Sequence, residues 1–359
     1  MSVAVLFARA DAPRAAAYVI AAVLVLGWLV YLWGNVRAGK AEVGSEIELA
    51  ANRKPYYDDE VLEGNRLERM QKFGLAMLLI VALGLPLYWL AEPGRQAGAI
   101  TGYNARFASW GKATFAPTAD GGFNCAGCHG GYGAAGGVAP FTVTDQTTGQ
   151  VKAINWTAPA LNTVLYRFSR DEVTFILTYG RPFSPMSPWG LAGGGPMNDQ
   201  QIKNLIDYLA SIQLPQEGCT KANPLCKGSA GVLNKTDQAK IGEAAAALVK
   251  AGTYKTLGEA LFNLDLNGGA YSCARCHTKG WSYGDPQASG GGALGPNLTG
   301  GSTVRQFPSA ADQSAFICAG SVLGQKYGAQ GQGSGRMPGF CGLLTQDQIN
   351  AIVDYERGL

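Results

Sequence analysis

The pentapeptide Cys125-Ala126-Gly127-Cys128-His129 decides how the rest of this 359-residue chain is interpreted, and it returns as Cys273-Ala274-Arg275-Cys276-His277. Two thiols three positions apart can each form a thioether to a haem vinyl group, and the histidine that follows can bind the iron. The chain has only two histidines, and both lie in these motifs. The two copies therefore predict two covalently bound c-type haems.

Zinc binding and structural pairing of the thiols are the alternatives for the motif cysteines. A Cys/His zinc site takes its remaining ligands from a second Cys or His pair, and the sequence has no such pair close to either copy. Covalent haem attachment explains both motifs, and paired structural thiols remain the main alternative.

Four cysteines lie outside the motifs, and four cysteines allow three pairings. The expected pairs are Cys219 with Cys226, which share a short loop, and Cys318 with Cys341, which share one domain. The alternative is that one of the two pairs is reduced. Disulfides and c-type haem both indicate an oxidising compartment.

The composition indicates membrane segments and irregular loops. Hydrophobic residues make up 47% of the chain and charged residues 15%, against about 25% charged residues in ordinary soluble domains. The 50 glycines suit irregular loops close to a flat cofactor or, alternatively, flexible surface loops. A net charge of +3 gives no support for nucleic-acid binding.

Two uncharged runs are long enough to cross a bilayer as helices. The first, at about 15–36, ends in tryptophan and tyrosine residues that are typical of an interfacial aromatic belt. A cleaved signal peptide is the alternative, although bulky residues occupy the place of a small cleavage motif. The second run, at about 73–91, has the same character. We therefore predict a membrane anchor with two transmembrane helices in a lipid bilayer.

The basic residues predict the sidedness of this anchor. The loop 37–72 between the two runs is rich in lysine and arginine, whereas few basic residues flank the runs on their other sides. The positive-inside rule places this loop in the cytoplasm and everything after the second run outside. An acidic stretch at 58–63 in the same loop is either a docking surface or, more simply, a solvated loop face.

The sequence that follows the predicted spans contains two repeats. Ahead of each pentapeptide a glycine, Gly111 or Gly258, is followed four residues later by a phenylalanine, so that both side chains lie on one helix face. Each repeat closes with an amphipathic segment, at 198–212 and 345–357. The pattern predicts that each repeat begins and ends with a helix.

The closing helices share two further features. Asn198 and Thr345 are expected N-caps, each with a glutamine at the third helical position as in a capping box. Tyr208 and Tyr355 lie at equivalent places in the two helices. A glycine notch on one helix and a tyrosine on the other predict a close crossing of the first and last helices.

Each repeat resembles a class I cytochrome c domain, over about 103–212 and 256–359. The family has an N-terminal helix, CxxCH, a proline-containing loop, an axial methionine on a Gly/Pro-rich loop, and a C-terminal helix packed across the first. The resemblance implies a mainly α fold with two N-terminal transmembrane helices followed by two class I cytochrome c-like domains. We place the anchor, the first domain, a linker that packs on the domains, and the second domain at 1–92, 93–215, 216–254 and 255–359.

The resemblance also implies the iron ligands. His129 and His277 are the proximal ligands, and no histidine remains for the distal side, where electron-carrying haems of this type use methionine. The segment around Met337 is similar to the family's axial loop. In the first repeat Met186, held between prolines, competes with Met197, which directly precedes an N-cap and suits a hydrophobic staple. Met186 is favoured.

In this family a proline carbonyl accepts the second N–H of the proximal imidazole and so fixes the ring. The matching prolines are Pro159 and Pro296, for which an ordinary turn is the alternative. The predicted haem-binding residues are Cys125, Cys128, His129, Pro159, Cys273, Cys276, His277 and Pro296, and the predicted iron ligands are His129, Met186, His277 and Met337.

A six-coordinate haem passes electrons but has no open position for a substrate. The resemblance therefore implies an electron-transfer subunit without a catalytic site of its own, on the outer face of the cell membrane. A dihaem peroxidase is the alternative from another class of function, and it requires a vacant or labile axial position.

Two families of respiratory subunits share this design. The order of segments resembles the dihaem subunit of cbb-type haem-copper oxidases. The amino-acid sequence of the haem domains, especially at 336–340 and 352–357, is more similar to that of dihaem subunits of actinobacterial bc-type complexes, which oxidise menaquinol. The expected partners are accordingly a cytochrome b with an iron-sulfur protein, or a haem-copper oxidase.

Overall fold

A computed structural model describes the chain in eight stretches: 12–42, 64–145, 148–182, 184–218, 231–265, 272–322, 324–331 and 337–359. Helices are the main secondary structure of these residues. The chain divides into two compact units, Met1–Ala91 and Glu92–Leu359.

Two helices contain the predicted membrane spans. Helix α1 spans Ala12–Glu42 and includes the apolar segment Ala22–Gly34. Helix α2 spans Asn65–Phe115, and among the described residues it is the one helix long and apolar enough to cross a membrane. Most of the loop 37–72, with its acidic stretch, lies outside the described residues.

Helix α2 also contains the predicted opening helix of the first repeat. The run at 73–91 and the glycine-phenylalanine segment therefore belong to one 51-residue helix. The charged residues after the run favour this continuity, because Arg95 Nε lies 2.5 Å from Glu92 Oε2 and Gln96 donates to Glu92 Oε1 at 3.0 Å. Side chains three and four positions apart stabilise a helix in this way.

The rest of the first repeat consists of short helices and one β-hairpin. Strands β1 and β2 pair antiparallel, in a register that joins Gly137 to Ala158 and Thr144 to Val151. The hairpin is an addition to the predicted mainly α fold, and it occupies the interval between the first pentapeptide and Pro159. The elements in chain order are α3 (Cys125–His129), β1 (Gly137–Thr144), β2 (Val151–Ala158), α4 (Val164–Arg167), α5 (Arg170–Tyr179) and α6 (Asp199–Ser211).

In the second repeat and the segment before it, six helices alternate with irregular loops along the described residues. A helix in the linker begins at Lys235, because Asn234 caps it by accepting from the backbone N–H of Asp237 at 3.0 Å. Its buried apolar side chains, Ile241 and Ala245, belong to the core of the second repeat. The elements are α7 (Lys235–Lys250), α8 (Leu257–Asn263), α9 (Ala274–His277), α10 (Ser302–Gln306), α11 (Ala310–Ala319) and α12 (Gln346–Arg357).

The predicted crossing of first and last helices is present in both repeats. A Cβ on Gly111 would overlap the carbonyl oxygen of Asn204 in α6, and a Cβ on Gly258 would overlap the carbonyl oxygen of Ala351 in α12. Only a residue without a side chain allows the backbones to approach so closely. The prediction of a glycine notch is confirmed.

The tyrosines complete each crossing. The ring of Tyr208 packs against Phe115 with centroids 5.4 Å apart, and the ring of Tyr355 packs against Phe262 at the same distance. Such tilted aromatic pairs contribute about 0.5–1.5 kcal/mol beyond the apolar area that they bury. Each repeat is therefore closed by equivalent contacts of a glycine, a phenylalanine and a tyrosine.

Both predicted capping boxes are confirmed. The side chain of Asn198 accepts from the backbone N–H of Gln201 at 2.9 Å, and that of Thr345 accepts from Gln348 at 3.3 Å. Each glutamine side chain in turn accepts from the backbone N–H of its cap residue at 3.0 Å. These bonds fix where the closing helices start.

A buried carboxyl lies on the closing helix of the second repeat. Glu356 is 6% exposed and accepts a hydrogen bond from Gln313 Nε2 at 2.9 Å. Burial raises the pKa of this carboxyl from 4.5 to about 7, and the bond from Gln313 offsets part of the shift. The folded protein therefore holds this proton more tightly than the unfolded chain does.

We expect Glu356→Gln to make stability less dependent on pH. Below pH 4.5 the carboxyl is protonated in both states and costs nothing; between 4.5 and about 7 only the unfolded chain ionises, so the parent loses stability as the pH rises. Urea unfolding should show the variant equal to the parent at pH 4 and more stable by about 3 kcal/mol at pH 8. The exposed Asp354 on the same helix provides the control Asp354→Asn. If the free energy of unfolding of the parent and of Glu356→Gln changed with pH in the same way, the raised pKa of Glu356 would be contradicted.

Two candidate haem-attachment sites

Each pentapeptide forms about one turn of helix. The first is α3, and the second is Cys273 with α9. A helical turn places the two cysteines, three positions apart, on one face. In the second site the hydroxyl of Ser272 accepts from the N–H of Ala274 at 3.1 Å and donates to the carbonyl of Phe262 at 2.9 Å, which ties the motif to α8.

The motif cysteines are partly enclosed. Cys125, Cys128 and Cys273 form no disulfide in the described part of the chain. Burial raises the pKa of Cys125 to about 11 and shifts the pKa of Cys273 upward as well. A reactive or metal-binding thiolate requires the opposite shift. Within the described residues no group of three His, Cys, Asp or Glu side chains is placed to hold a metal ion.

Both imidazoles are oriented by a proline carbonyl. His129 Nδ1 lies 2.9 Å from Pro159 O, and His277 Nδ1 lies 2.9 Å from Pro296 O. A carbonyl oxygen only accepts, so Nδ1 carries the proton and Nε2 keeps its lone pair. This is the tautomer that a ligand to iron needs.

The surroundings keep these imidazoles neutral. Burial lowers the pKa of His129 and of His277, and the hydrogen bond to the proline carbonyl offsets part of each shift. The charge of Arg275, which lies in the other pentapeptide, lowers the pKa of His129 further. A neutral imidazole with a free Nε2 fits an iron ligand at both sites.

Glycines let the neighbouring loops pass close to the two sites. A Cβ on Gly295 would lie 2.7 Å from Cε1 of His277, and a Cβ on Gly137 would lie 2.6 Å from the carbonyl oxygen of Cys128. Both distances are shorter than a real side chain tolerates, so each position requires glycine. The hairpin in the first repeat and the Gly295 loop in the second thus occupy corresponding places beside the motif.

The loops of Met186 and Met337 are anchored in the same way. Helix α5 ends at Gly180 and α11 ends at Gly320, both with positive φ, 72° and 76°. The residue after each glycine donates its N–H to the methionine carbonyl, at 2.8 Å for Met186 and 2.9 Å for Met337. The two methionines therefore hold equivalent positions in the two repeats.

Met197 has a different environment. Its side chain is fully buried in the first core, whereas Met186 and Met337 are partly exposed and only pack against the core clusters. Its backbone N–H donates to Trp189 O at 2.7 Å, and its carbonyl oxygen accepts from the N–H of Leu191 at 2.9 Å. This is the packing of a core residue at a helix start, and it supports Met186 as the counterpart of Met337.

A disulfide links α11 to the segment that follows Met337. Cys318 pairs with Cys341, as the sequence predicts. Cys219 and Cys226 lie outside the described residues, so their pairing stays a prediction. The backbone supports the link, because the N–H of Cys341 donates to the carbonyl of Cys318 at 3.2 Å.

The double variant Cys318→Ser, Cys341→Ser should be less stable by about 3 kcal/mol, because the bridge closes a loop over a sequence separation of 23 residues. Urea unfolding of the second repeat, followed in the far-ultraviolet, measures the loss. The pair Cys219→Ser, Cys226→Ser serves as the comparison, for the bridge that the sequence predicts within a shorter loop. An unchanged midpoint in the first variant would show that the bridge does not constrain the unfolded chain.

A comparison with known protein families gives a match that covers the first of these sites. Residues 111–209 match the family described as cytochrome C oxidase, cbb3-type, subunit III. This part of the chain is a cytochrome c domain. The matched region includes α3, the hairpin, Met186 and most of α6, and membership in such a domain implies covalently bound haem c. No curated protein and no solved structure gives a significant match.

Sequence reasoning missed two features of these sites. One is the hairpin, whose last residue directly precedes Pro159 and so positions the carbonyl that binds His129. Its concentration of β-branched and aromatic residues was the available signal. The other is Arg275, a charged side chain at the position where the cytochrome c domain has Gly127.

Proposed function

We propose that the chain is a membrane-anchored dihaem c-type cytochrome that relays electrons on the outer face of the cell membrane within a respiratory chain. The observation that carries this proposal is the repetition of one arrangement. A neutral imidazole bound to a proline carbonyl and a methionine loop anchored after a helix-ending glycine occur in the cytochrome c domain and again in the second repeat.

The residues of each site have distinct roles in this proposal. Bound haem supplies a one-electron couple at iron. Cys125 with Cys128, and Cys273 with Cys276, would hold the two porphyrins covalently, while the imidazole Nε2 of the following histidine would bind the metal. Met186 and Met337 would complete the coordination, and a thioether ligand favours the reduced iron and raises its potential.

The anchor explains why the relay belongs at a membrane. Helix α2 is long and apolar enough to cross one, and α1 contains the other proposed span. With the basic loop 37–72 in the cytoplasm, both haem domains lie outside, where a disulfide such as that of Cys318 and Cys341 persists. Tethering raises the effective concentration of the haems near integral partners.

The proposed partners are integral respiratory subunits. A bc-type complex, with a cytochrome b and an iron-sulfur protein, is the first candidate, alone or joined to its oxidase. A cbb-type haem-copper oxidase is the alternative, and the family that matches residues 111–209 is named for a subunit of such an oxidase. Purification from membranes in mild detergent distinguishes them, since a copper-haem subunit alone would favour the oxidase.

The relay is tested on the purified chain in two steps. Pyridine haemochrome analysis should give two haems per chain, and a single haem would overturn the dihaem proposal. Carbon monoxide should leave the spectrum of the reduced protein unchanged, because both sixth positions are filled. Carbon monoxide bound to both haems would show open positions and would favour an enzymatic role such as that of a peroxidase.

A further inference from the structure

The side chain of Arg275 reaches from the second pentapeptide to the cytochrome c domain. It is 5% exposed, and its Nη1 donates to the carbonyl oxygen of Thr157 at 2.5 Å. Its Nη2 pairs with Oδ2 of Asp265, and its Cζ lies 5.1 Å from the centroid of the Trp281 ring. The guanidinium is therefore bound on three sides.

Thr157 connects this contact to the first haem site. It lies in β2, where it pairs with Val138, and it precedes Pro159 by two residues. Pro159 O is the atom that binds His129 Nδ1. One side chain thus joins the helical turn that carries His277 to the strand that positions the imidazole of the other site.

The pair of charges is enclosed where the hairpin meets the second repeat. Asp265 is 21% exposed, and with Gly136, Gly137 and Thr157 it lines a cavity of about 270 Å³. At such a site charges interact through a medium of lower effective dielectric constant than water, so their effects at short range are large. A second ion pair joins the same two parts, Lys152 with Asp285 at 3.3 Å, but both side chains are more than 60% exposed.

We propose that Arg275 is a positioning residue that holds the two haem sites in fixed relation and raises the potential of both haems. This rests on the proposed dihaem function. An oxidised haem site carries one more positive charge than a reduced one, so a fixed positive charge nearby disfavours oxidation. The carboxylate of Asp265 acts in the opposite sense and holds the guanidinium in place.

The proposal makes opposite predictions for the two partners. Arg275→Gln removes the positive charge and leaves Asp265, so both haem potentials should fall, with at least a tenfold rise in the oxidised-to-reduced ratio of one haem at fixed ambient potential, equivalent to about 59 mV for a one-electron couple. Asp265→Asn should raise both potentials. The double variant should return toward the parent. Spectroelectrochemical titration of the detergent-solubilised holoprotein measures the haem potentials of the parent and the three variants.

The control is Lys152→Gln, which breaks the exposed ion pair between the same two parts and should leave both potentials unchanged. Potentials in Arg275→Gln and Asp265→Asn equal to those of the control would overturn the proposal. If Arg275→Gln fails to fold, Asp265→Asn decides alone. Haem content is measured first on the parent: one haem per chain would refute the dihaem function, whereas two haems with unmoved potentials would refute only the role of Arg275.

Discussion

Replacing Met186 with alanine should remove the methionine-to-iron absorption band from one haem and leave the other haem unchanged. The emptied position should then bind carbon monoxide in the reduced state, so half of the haem should respond. Its potential should fall, because loss of the thioether removes the preference for reduced iron. The corresponding change at Met337 should affect the other haem in the same way.

Met197→Leu is the matched control for this experiment. Met197 is fully buried in the first core, and a volume-conserving swap there costs less than about 1.5 kcal/mol. We expect it to keep both absorption bands and to bind no carbon monoxide. An intact band in Met186→Ala together with a lost band in Met197→Leu would identify Met197 as the iron ligand. The similar anchoring of the Met186 and Met337 loops would then not reflect a shared role in binding iron.

The parts of the fold that were predictable from sequence depend on short spacings. The capping boxes at Asn198 and Thr345 need only residues three apart, and the notches at Gly111 and Gly258 follow from a repeated pattern around each pentapeptide. In such cases the contact partner is either close in the sequence or recurs at the equivalent place in the second repeat. Both contacting residues can therefore be recognised from the sequence.

The choice between Met186 and Met197 shows where that information ends. Both are flanked by residues typical of loops, and the sequence alone favours one through the spacing of prolines and the position before a helix cap. The structure adds the hydrogen bond from the residue after Gly180 to the carbonyl of Met186, which has a direct counterpart at Gly320 and Met337. Met186 follows Gly180 by six residues, whereas Met337 follows Gly320 by seventeen, so no common spacing reveals their equivalence.

The contact of Arg275 was beyond sequence reasoning for a related reason. Its acceptor, the carbonyl of Thr157, is separated from it by 118 residues and is a backbone atom, which no residue type identifies. The acceptor also lies on a hairpin that the resemblance to class I cytochromes c does not imply. What the sequence shows is a charged side chain within an otherwise uncharged haem motif, and a buried charge requires a partner.

Gly111→Ala should destabilise the cytochrome c domain by about 3 kcal/mol or more, the upper part of the range for overpacked sites. The added methyl group would overlap the carbonyl oxygen of Asn204 and lie 2.7 Å from Cβ of Tyr208. Both atoms belong to α6, whose backbone cannot yield without losing the contact of Tyr208 with Phe115. Urea unfolding followed at the haem absorbance measures the loss.

The control lies on the same helix. Gly102 has no atom within 4 Å of its would-be Cβ, so Gly102→Ala should stabilise α2 by about 0.5–1 kcal/mol, the usual difference between the two residues in a helix. The two substitutions are chemically identical and should differ in sign because only Gly111 lies under the closing helix. Equal effects would mean that the crossing is looser than the structure has it. The crossing of α2 and α6 would then not be a major source of stability in the first repeat.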